Sequence, residues 1–422
     1  MMQGPWSDGV PTGWQIRPLW SEFRRGKTLG DGSEELLSVY RDYGVIPKSS
    51  REDNFNKPSE DLSKYQRVSV GDLVVNKMKA WQGSLGISNH DGIVSPAYFV
   101  YKATGTFEPR FAHYLLRSKE YADHMAAISS GIRPNQWDLD PAQFAVTPLL
   151  VPPPAEQRAI ADYLDRETTQ IDAFIAKNEE LITLLTERRA SVIGAAVTRG
   201  LDERVELSME SPDWIGPVPA AWSVQPIKSA YSVVVGKMLN ESKSEGDPVP
   251  YVRAANIQPD GLDLSDVKEM KATAADRRAL SLRSGDVVFV EGGGGYGRSD
   301  YLTQDLPGWV FQNHVIRLRS RPGHDGRFLN YWLQHVRRLG HYEALSAFAT
   351  IPNVSGDKLG RIEMPAPPLW EQREIVKHIE EACSRIDAAV AVAQRSVELA
   401  RERRAALISA AVTGKIDVGV AA

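Results

Sequence analysis

The sequence predicts an α+β protein: two globular domains, each with a β-sheet core and short helices, separated by two long antiparallel helices packed as a coiled coil. Three observations predict this. Residues 152–202 return as residues 367–417 at a constant offset of 215, which aligns Glu156-Gln-Arg158 with Glu371-Gln-Arg373, Ile171-Asp172 with Ile386-Asp387, and Glu187-Arg-Arg189 with Glu402-Arg-Arg404. The region ahead of each copy opens on one pattern, Trp6, Val10-Pro11, Trp14, Ile16, Pro18-Leu19 and then Trp214, Val218-Pro219, Trp222, Val224, Pro226-Ile227. Within the repeated stretch apolar residues fall at helical spacing, whereas the regions before it carry short β-branched runs after turn signals. The unit is far longer than the roughly 20 to 50 residues of solenoid repeats, so each copy is a whole structural unit and the chain a pseudo-twofold tandem repeat. The expected divisions are a first domain at 1–151, a helical spacer at 152–202, a second domain at 203–366, a second spacer at 367–417 and a tail at 418–422.

In chain order, Gly71-Asp72 is a turn feeding the apolar run Leu73-Val-Val75, and Gly285-Asp286 feeds Val287-Val-Phe289 in the same way, each a turn and a buried strand. Residues 93–100 and 309–318 read as strands, and residues 111–117 and 327–338 as short helices. Proline-rich segments, 147–154 and 364–368, lead into the repeated stretch. There, Thr169-Gln-Ile-Asp172 and Ser384-Arg-Ile-Asp387 place a hydroxyl three residues before an acid, a capped helix start, with a short helix from about residue 155 ahead of the first. Ile171, Phe174, Leu181, Leu185 and Val192 form one apolar stripe, with Ile175, Ile182 and Ala196 beside it. The second copy keeps the period with smaller residues: Ile386, Ala389, Ala393, Ala400 and Leu407. Large side chains facing small ones predict that the two helices interdigitate. A helix of about 29 residues spans roughly 43 Å at 1.5 Å per residue. Glu187-Arg-Arg189 and Glu402-Arg-Arg404 read as solvated helix turns with i to i+4 pairs, or as a docking edge for another protein.

Composition sets bounds. The 422 residues hold one cysteine, Cys383, which excludes a disulfide framework and a cysteine-based zinc site, fits a reducing compartment, and reads as a helix-face residue. No basic segment followed by an apolar core opens the sequence, and no run of about 18 apolar residues occurs, so a soluble, cytoplasmic protein with no membrane partner is expected. Net charge is −4, and residues 1–150 balance at 17 basic against 17 acidic. A bound nucleic acid would therefore need a local positive surface or one supplied by a partner.

No catalytic motif stands out: no G-x-x-x-x-G-K-[ST], no H-E-x-x-H, no G-x-S-x-G, and the eight histidines lack ligand spacing. No catalytic residue, metal ligand or cofactor is expected on this chain. Glu291-Gly-Gly-Gly-Gly-Tyr-Gly297 satisfies G-x-G-x-x-G, yet no helix pattern follows it, as a dinucleotide loop requires. It reads as a flexible strand-to-strand loop, or as a place where bare backbone approaches a phosphate while Tyr296 and Arg298 reach a base or phosphate. Its counterpart after the first buried strand is Asn76-Lys-Met-Lys-Ala-Trp-Gln82. Arg suits guanine, Asn and Gln suit adenine, and Lys suits phosphate. The candidate DNA-reading set is thus Lys77, Lys79, Trp81, Gln82, Arg133, Asn135 and Gln136 in the first domain, and Tyr296, Arg298, Gln312, Asn313, His314 and Asn353 in the second. Each alone is more often an ordinary surface or turn residue, because loops are polar, and Trp81 more often a core or loop anchor; recurrence at matching places is what marks them.

Taken together, the Pro-rich lead-in, Glu-Gln-Arg, Ile-Asp and Glu-Arg-Arg, all repeated once behind unlike regions, resemble the specificity subunit of Type I restriction-modification enzymes. Gly71-Asp-Leu-Val-Val-Asn-Lys77-Met78 and Trp81-Gln-Gly83 are similar to that family's first target-recognition domain. The resemblance covers nearly the whole chain. It implies a non-catalytic reader of double-stranded DNA whose two target-recognition domains each take one half of a split, asymmetric site. It also implies conserved helices that dock two DNA adenine methyltransferase subunits and, through them, restriction/translocase subunits. S-adenosylmethionine, ATP and Mg2+ would then be used by those partners. From another class, the residues also fit a two-headed protein-protein adaptor on a helical spacer with no DNA role, which the near-neutral domain charge favours.

Overall fold

The computed structural model describes residues 9–41, 43–51, 61–104, 107–133, 136–239, 245–259, 261–345 and 352–419, with backbone only at 132, 133 and 136. The chain falls into two compact units, Met1–Glu179 with Gln394–Ala422, and Glu180–Ala393.

Each unit is built on a four-stranded antiparallel sheet of the same topology. In the first, β1 (Phe23–Gly26), β2 (Leu73–Asn76), β3 (Leu85–Ile87) and β4 (Tyr98–Ala103) lie in the order β1-β4-β2-β3. In the second, β5 (Tyr231–Val235), β6 (Val287–Val290), β7 (Ser299–Tyr301) and β8 (Val315–Ser320) lie in the order β5-β8-β6-β7. The stretches 93–100 and 309–318, each expected as one strand, are both broken in two by a turn.

The run Leu73-Val-Val75 of β2 and the whole of β6 are apolar and buried because both faces of these strands are covered. Alternate side chains enter different cores, as the period of two requires. Leu73 and Val75 join the core under the helix Pro109–Arg117, whereas Val74 joins a smaller cluster with Val39, Val68 and Val100. In the second unit Val287 and Phe289 pack with the helix Gly326–Arg338, whereas Val288 and Val290 face a separate core with Tyr251, Val252 and Phe311. The turn ahead of each strand needs a left-handed residue, supplied by Gly71 at φ 90° and Gly285 at φ 93°. Its aspartate is buried and satisfied in both copies. Asp72 Oδ2 accepts from the Ser69 amide (2.7 Å) and from Lys102 Nζ (2.5 Å), and Asp286 from the Arg283 amide (2.8 Å) and from Arg319 Nε (2.6 Å).

The repeated stretches form two helices, Pro154–Arg199 and Leu369–Val412, of 46 and 44 residues. At 1.5 Å per residue these are roughly 69 and 66 Å long. The expected starts at Thr169 and Ser384 do not occur; both helices run straight through. Within the helix, Thr168 Oγ1 donates to the Leu164 carbonyl (2.7 Å). Asp172 and Asp387, the acids of the supposed capping boxes, instead accept from arginines of the other helix. In the first unit Arg404 Nε and Nη2 donate to Asp172 at 2.8 and 3.2 Å. In the second, Arg189 Nε donates to Asp387 at 3.0 Å. The Ile-Asp and Glu-Arg-Arg motifs therefore pair with each other, reciprocally between copies, rather than making local i to i+4 pairs. Arg401 and Glu179 add a further antiparallel pair at 2.7 Å in the first unit.

The seam follows a seven-residue repeat, with Leu164, Thr168 and Ile171 buried and Ile175, Asn178, Ile182, Leu185 and Arg189 half-buried. On the second helix it runs through Cys383, Ile386, Ala393 and Val397, all buried, and the half-buried Ala400 and Leu407. Val192 is half-buried. Phe174 and Leu181, placed on the stripe by their size, are 48% and 44% exposed, and Ala389 is exposed as well. Each stands one residue from a seam position, a turn of about 100° on a 3.6-residue helix, and the neighbours Ile175, Ile182 and Val390 face inward instead.

The Glu-Gln pair of each copy joins helix to domain. Trp14 Nε1 donates to Glu156 (2.9 Å) and Trp222 Nε1 to Glu371 (3.0 Å). Gln157 accepts from the Glu108 amide and donates to the Pro152 carbonyl, both at 2.8 Å. Gln372 accepts from the Asp325 amide (2.8 Å) and donates to the Pro367 carbonyl (2.7 Å). Both glutamines are buried. Gln372→Ala orphans two backbone groups and should cost about 2–4 kcal/mol of stability, against under 1 kcal/mol for an exposed control such as Arg373→Ala; urea denaturation checks this. Arg404→Asp should cost about 1 kcal/mol through like-charge contact with Asp172, and adding Asp172→Arg should restore most of it, measured as a double-mutant cycle.

Candidate nucleic-acid interface

The loops after β2 and β6 occupy the same place in the two units but differ in chemistry. In the first unit, the loop after β2 closes through a short turn of helix, Ala80–Gln82. The Lys79 amide donates to the Asn76 carbonyl and the Asn76 amide to the Ser84 carbonyl, both at 3.0 Å. Trp81 stacks in tilted fashion on Trp137 with centroids 4.9 Å apart, and its indole donates to the Met78 carbonyl (3.2 Å). Lys77 Nζ pairs with Asp138 at 3.1 Å, and the Leu139 amide donates to the Lys77 carbonyl at 2.9 Å. These contacts fasten the loop to the hairpin Ser129–Arg133 and Gln136–Leu139, so the structure brings Lys77 and Trp81 beside the backbone carrying Arg133 and Gln136. Asn135 lies outside the described residues, as do the side chains of Arg133 and Gln136. Lys79 is exposed and Gln82 half-buried.

In the second unit, the loop Glu291 to Arg298 is held at both ends by main-chain bonds. The Val290 amide donates to the Arg298 carbonyl (2.8 Å), the Gly297 amide to the Val290 carbonyl (3.1 Å), and the Glu291 amide to the His314 carbonyl (3.0 Å). The Val354 amide donates to the Glu291 carbonyl at 2.9 Å. Between these anchors lies a groove of about 740 Å³ that brings together Glu291, the glycines 292–295, Arg298, Asn313, His314 and Asn353. Four of the six expected residues thus meet in one place. Tyr296 does not: its hydroxyl donates to the Tyr342 carbonyl (2.7 Å) and its ring packs on Tyr342. Gln312 opens the turn before β8, its amide donating to the Val252 carbonyl at 2.9 Å, and does not line the groove. Arg298 leans toward the Ile257 carbonyl and Gln258, with Nη1 at 3.5 and 3.4 Å.

Glu291 also lines the groove, although it is neither one of the cations nor one of the amides that residue type marks. The acid heads the glycine run, so the signal was in plain view. Burial raises its carboxyl pKa, and His314 opposes that shift. Trp137 and Asp138, the partners of Trp81 and Lys77, also went unmarked. Among the described residues no group of three or more His, Cys, Asp or Glu is placed to hold a metal, and no helix is long and apolar enough to cross a membrane.

Two copies of one sheet with unlike polar loops, each carried on the long helices, define a duplicated scaffold. Comparison with known proteins finds similar chains. Residues 219–388 match the family described as Type I restriction modification DNA specificity domain. The chain is 22% identical over 403 residues to the StySPI specificity subunit of Salmonella potsdam, covering 88% of this chain and 82% of that one. It is 20% identical over 400 residues to the EcoKI specificity subunit of Escherichia coli K12, with the same coverage of each chain. The HsdS subunit from Thermoanaerobacter tengcongensis shares the fold at a TM-score of 0.54 and 17% identity, over 97% of this chain and 99% of that one. A chain from a structure of the type I R-M system shares it at 0.73 and 14% identity, over 97% of this chain and 100% of that one. Over most of its length the chain is thus similar to specificity subunits of Type I restriction-modification enzymes, and residues 219–388 match the DNA specificity domain of that family.

Trp137→Ala should release the hairpin from the loop after β2. The expected result is roughly fivefold faster hydrogen exchange at the Leu139 amide, the equivalent of about 1 kcal/mol for a lost aromatic pair, with amides of β6 unchanged.

Proposed function

We propose that this chain reads a bipartite, asymmetric DNA target, one half with each unit. The observation that carries the reading is that one sheet topology, repeated, ends its central strand in a cationic-aromatic loop in the first unit and in a glycine-walled groove in the second. A scaffold kept constant while the presented chemistry changes is what two unlike half-sites require. Lys77, Lys79, Trp81, Gln82, Arg133, Asn135 and Gln136 are the reading set of the first unit. Arg298, Asn313, His314 and Asn353 are that of the second, with Gln312 beside them and Tyr296 supporting the loop from within. Phosphate contacts would supply affinity, and a few base-edge contacts the choice of sequence.

The long helices dock two DNA adenine methyltransferase subunits and, through them, restriction/translocase subunits. S-adenosylmethionine, ATP and Mg2+ belong to those partners. The net charge of −4 is consistent with partners that contribute part of the phosphate-facing surface. The domain divisions 1–151, 152–202, 203–366 and 367–417 go with this reading as two readers and two spacers.

Gel-shift competition with the methyltransferase partner present tests it. One bipartite sequence should outcompete random DNA by at least about a thousandfold at physiological salt, and exchanging residues 77–83 for another loop should alter preference in one half-site only. Equal competition by random DNA sinks the proposal.

A further inference from the structure

The glycine run of the second unit has more glycines than its own fold uses. Gly293 and Gly297 adopt φ +83° and +74°, and a Cβ on Gly297 would strike Tyr342 at 2.8 Å, so these two have internal reasons. Gly292, Gly294 and Gly295 do not take up the left-handed region. A Cβ on Gly294 would meet nothing within 4 Å, and on Gly292 or Gly295 nothing nearer than 3.5 and 3.6 Å. A Cβ at each of these three positions would fit the protein by itself; its absence leaves room for something outside it.

The character of that outside group follows from the acid beside the glycines. Glu291 has its backbone fixed on both sides, by the His314 carbonyl and the Val354 amide. Its carboxylate is half-buried in the groove and has no hydrogen-bond or ion-pair partner among the described residues. A phosphate would be repelled there, which removes the reading of this run as a phosphate cradle. A partly desolvated carboxylate accepts hydrogen bonds and donates none, so its complement is an N–H. On the major-groove edge of DNA the amino donors are cytosine N4 and adenine N6, while guanine and thymine present acceptors at the corresponding positions.

Resting on the bipartite reading above, we infer that Glu291 is a specificity-determining residue of the second unit, accepting a hydrogen bond from the exocyclic amino group of a cytosine or adenine admitted by the bare backbone of Gly292, Gly294 and Gly295. Burial raises the pKa of this carboxyl, in keeping with a group short of water that gains from a donor. Asn313 and Asn353 lie along the same groove, where amides suit the neighbouring base edge.

The test uses the full chain in complex with its methyltransferase partner and DNA selected from a randomised pool, sequenced for the wild type, Glu291→Leu and Gly294→Val. Glu291→Leu removes the acceptor and should reduce the preference for cytosine or adenine at one position of the second half-site by about tenfold or more, leaving the first half-site unchanged. The Cβ of Gly294→Val meets nothing within 4 Å in the folded chain, and this variant should weaken selection across the second half-site alone. Unchanged selection in both variants overturns the inference. So does an equal loss over both half-sites, or a wild-type preference for guanine or thymine at the position that Glu291→Leu relaxes. If the wild type selects no bipartite sequence at all, the target-reading proposal itself has failed, an outcome separate from these.

Discussion

A buried glutamine amide at the foot of each long helix is the joint on which the arrangement depends. Gln157 and Gln372 each satisfy a backbone donor from the domain and a backbone carbonyl from the proline-rich lead-in. An apolar residue of the same size would leave both groups unpaired in the interior, at a cost comparable to a large part of a domain's net stability. The preceding glutamate accepts the indole N–H of the tryptophan that opens each region. Two hydrogen-bonding residues in series thus tie the start of a helix to the start of a domain more than 140 residues earlier. Further along, Arg110 reaches Asp162 and Asp165, and Arg327 reaches Glu380, so the domain grips the helix over its first turns as well.

What the joint supports is a repeated sheet with divergent rims. Buried aspartates held by Lys102 and Arg319 fix the approach to β2 and β6 in the same geometry. Beyond those strands similarity ends. One loop is filled with side chains that prop each other, Trp81 on Trp137 and Lys77 on Asp138; the other is mostly backbone around an acid. A side-chain-filled loop presents its own groups outward, and an emptied one admits a group from its ligand. On the proposed reading, the two halves of the chain would meet their half-sites by opposite means.

Much of this was legible in the sequence because periodicity and repetition are strong signals. The duplication, the turn-strand pairs at Asp72 and Asp286, and the long helices could all be read from residue pattern. The helix starts at Thr169 and Ser384 were not, since a hydroxyl three residues before an acid fits a capping box locally. Only the partner helix shows that Asp172 and Asp387 are engaged by Arg404 and Arg189. The seam was read one residue out of phase at Phe174 and Leu181 because size was weighed over the seven-residue repeat. At the two loops, residue type marks positions along the chain but not where each side chain turns. Tyr296 turns inward to Tyr342, and Glu291, the group facing the groove, was passed over in a search for cations.

Each reading loop is anchored at its ends by amide-to-carbonyl bonds, Asn76 to Ser84 in one unit and Val290 to Arg298 in the other. Almost any amino acid can make such bonds. Residues between those anchors that touch no core group, such as Lys79 or Gly294, can therefore be exchanged by mutation or recombination without disturbing the sheet below, so a lineage can acquire a new vocabulary while inheriting the same grammar.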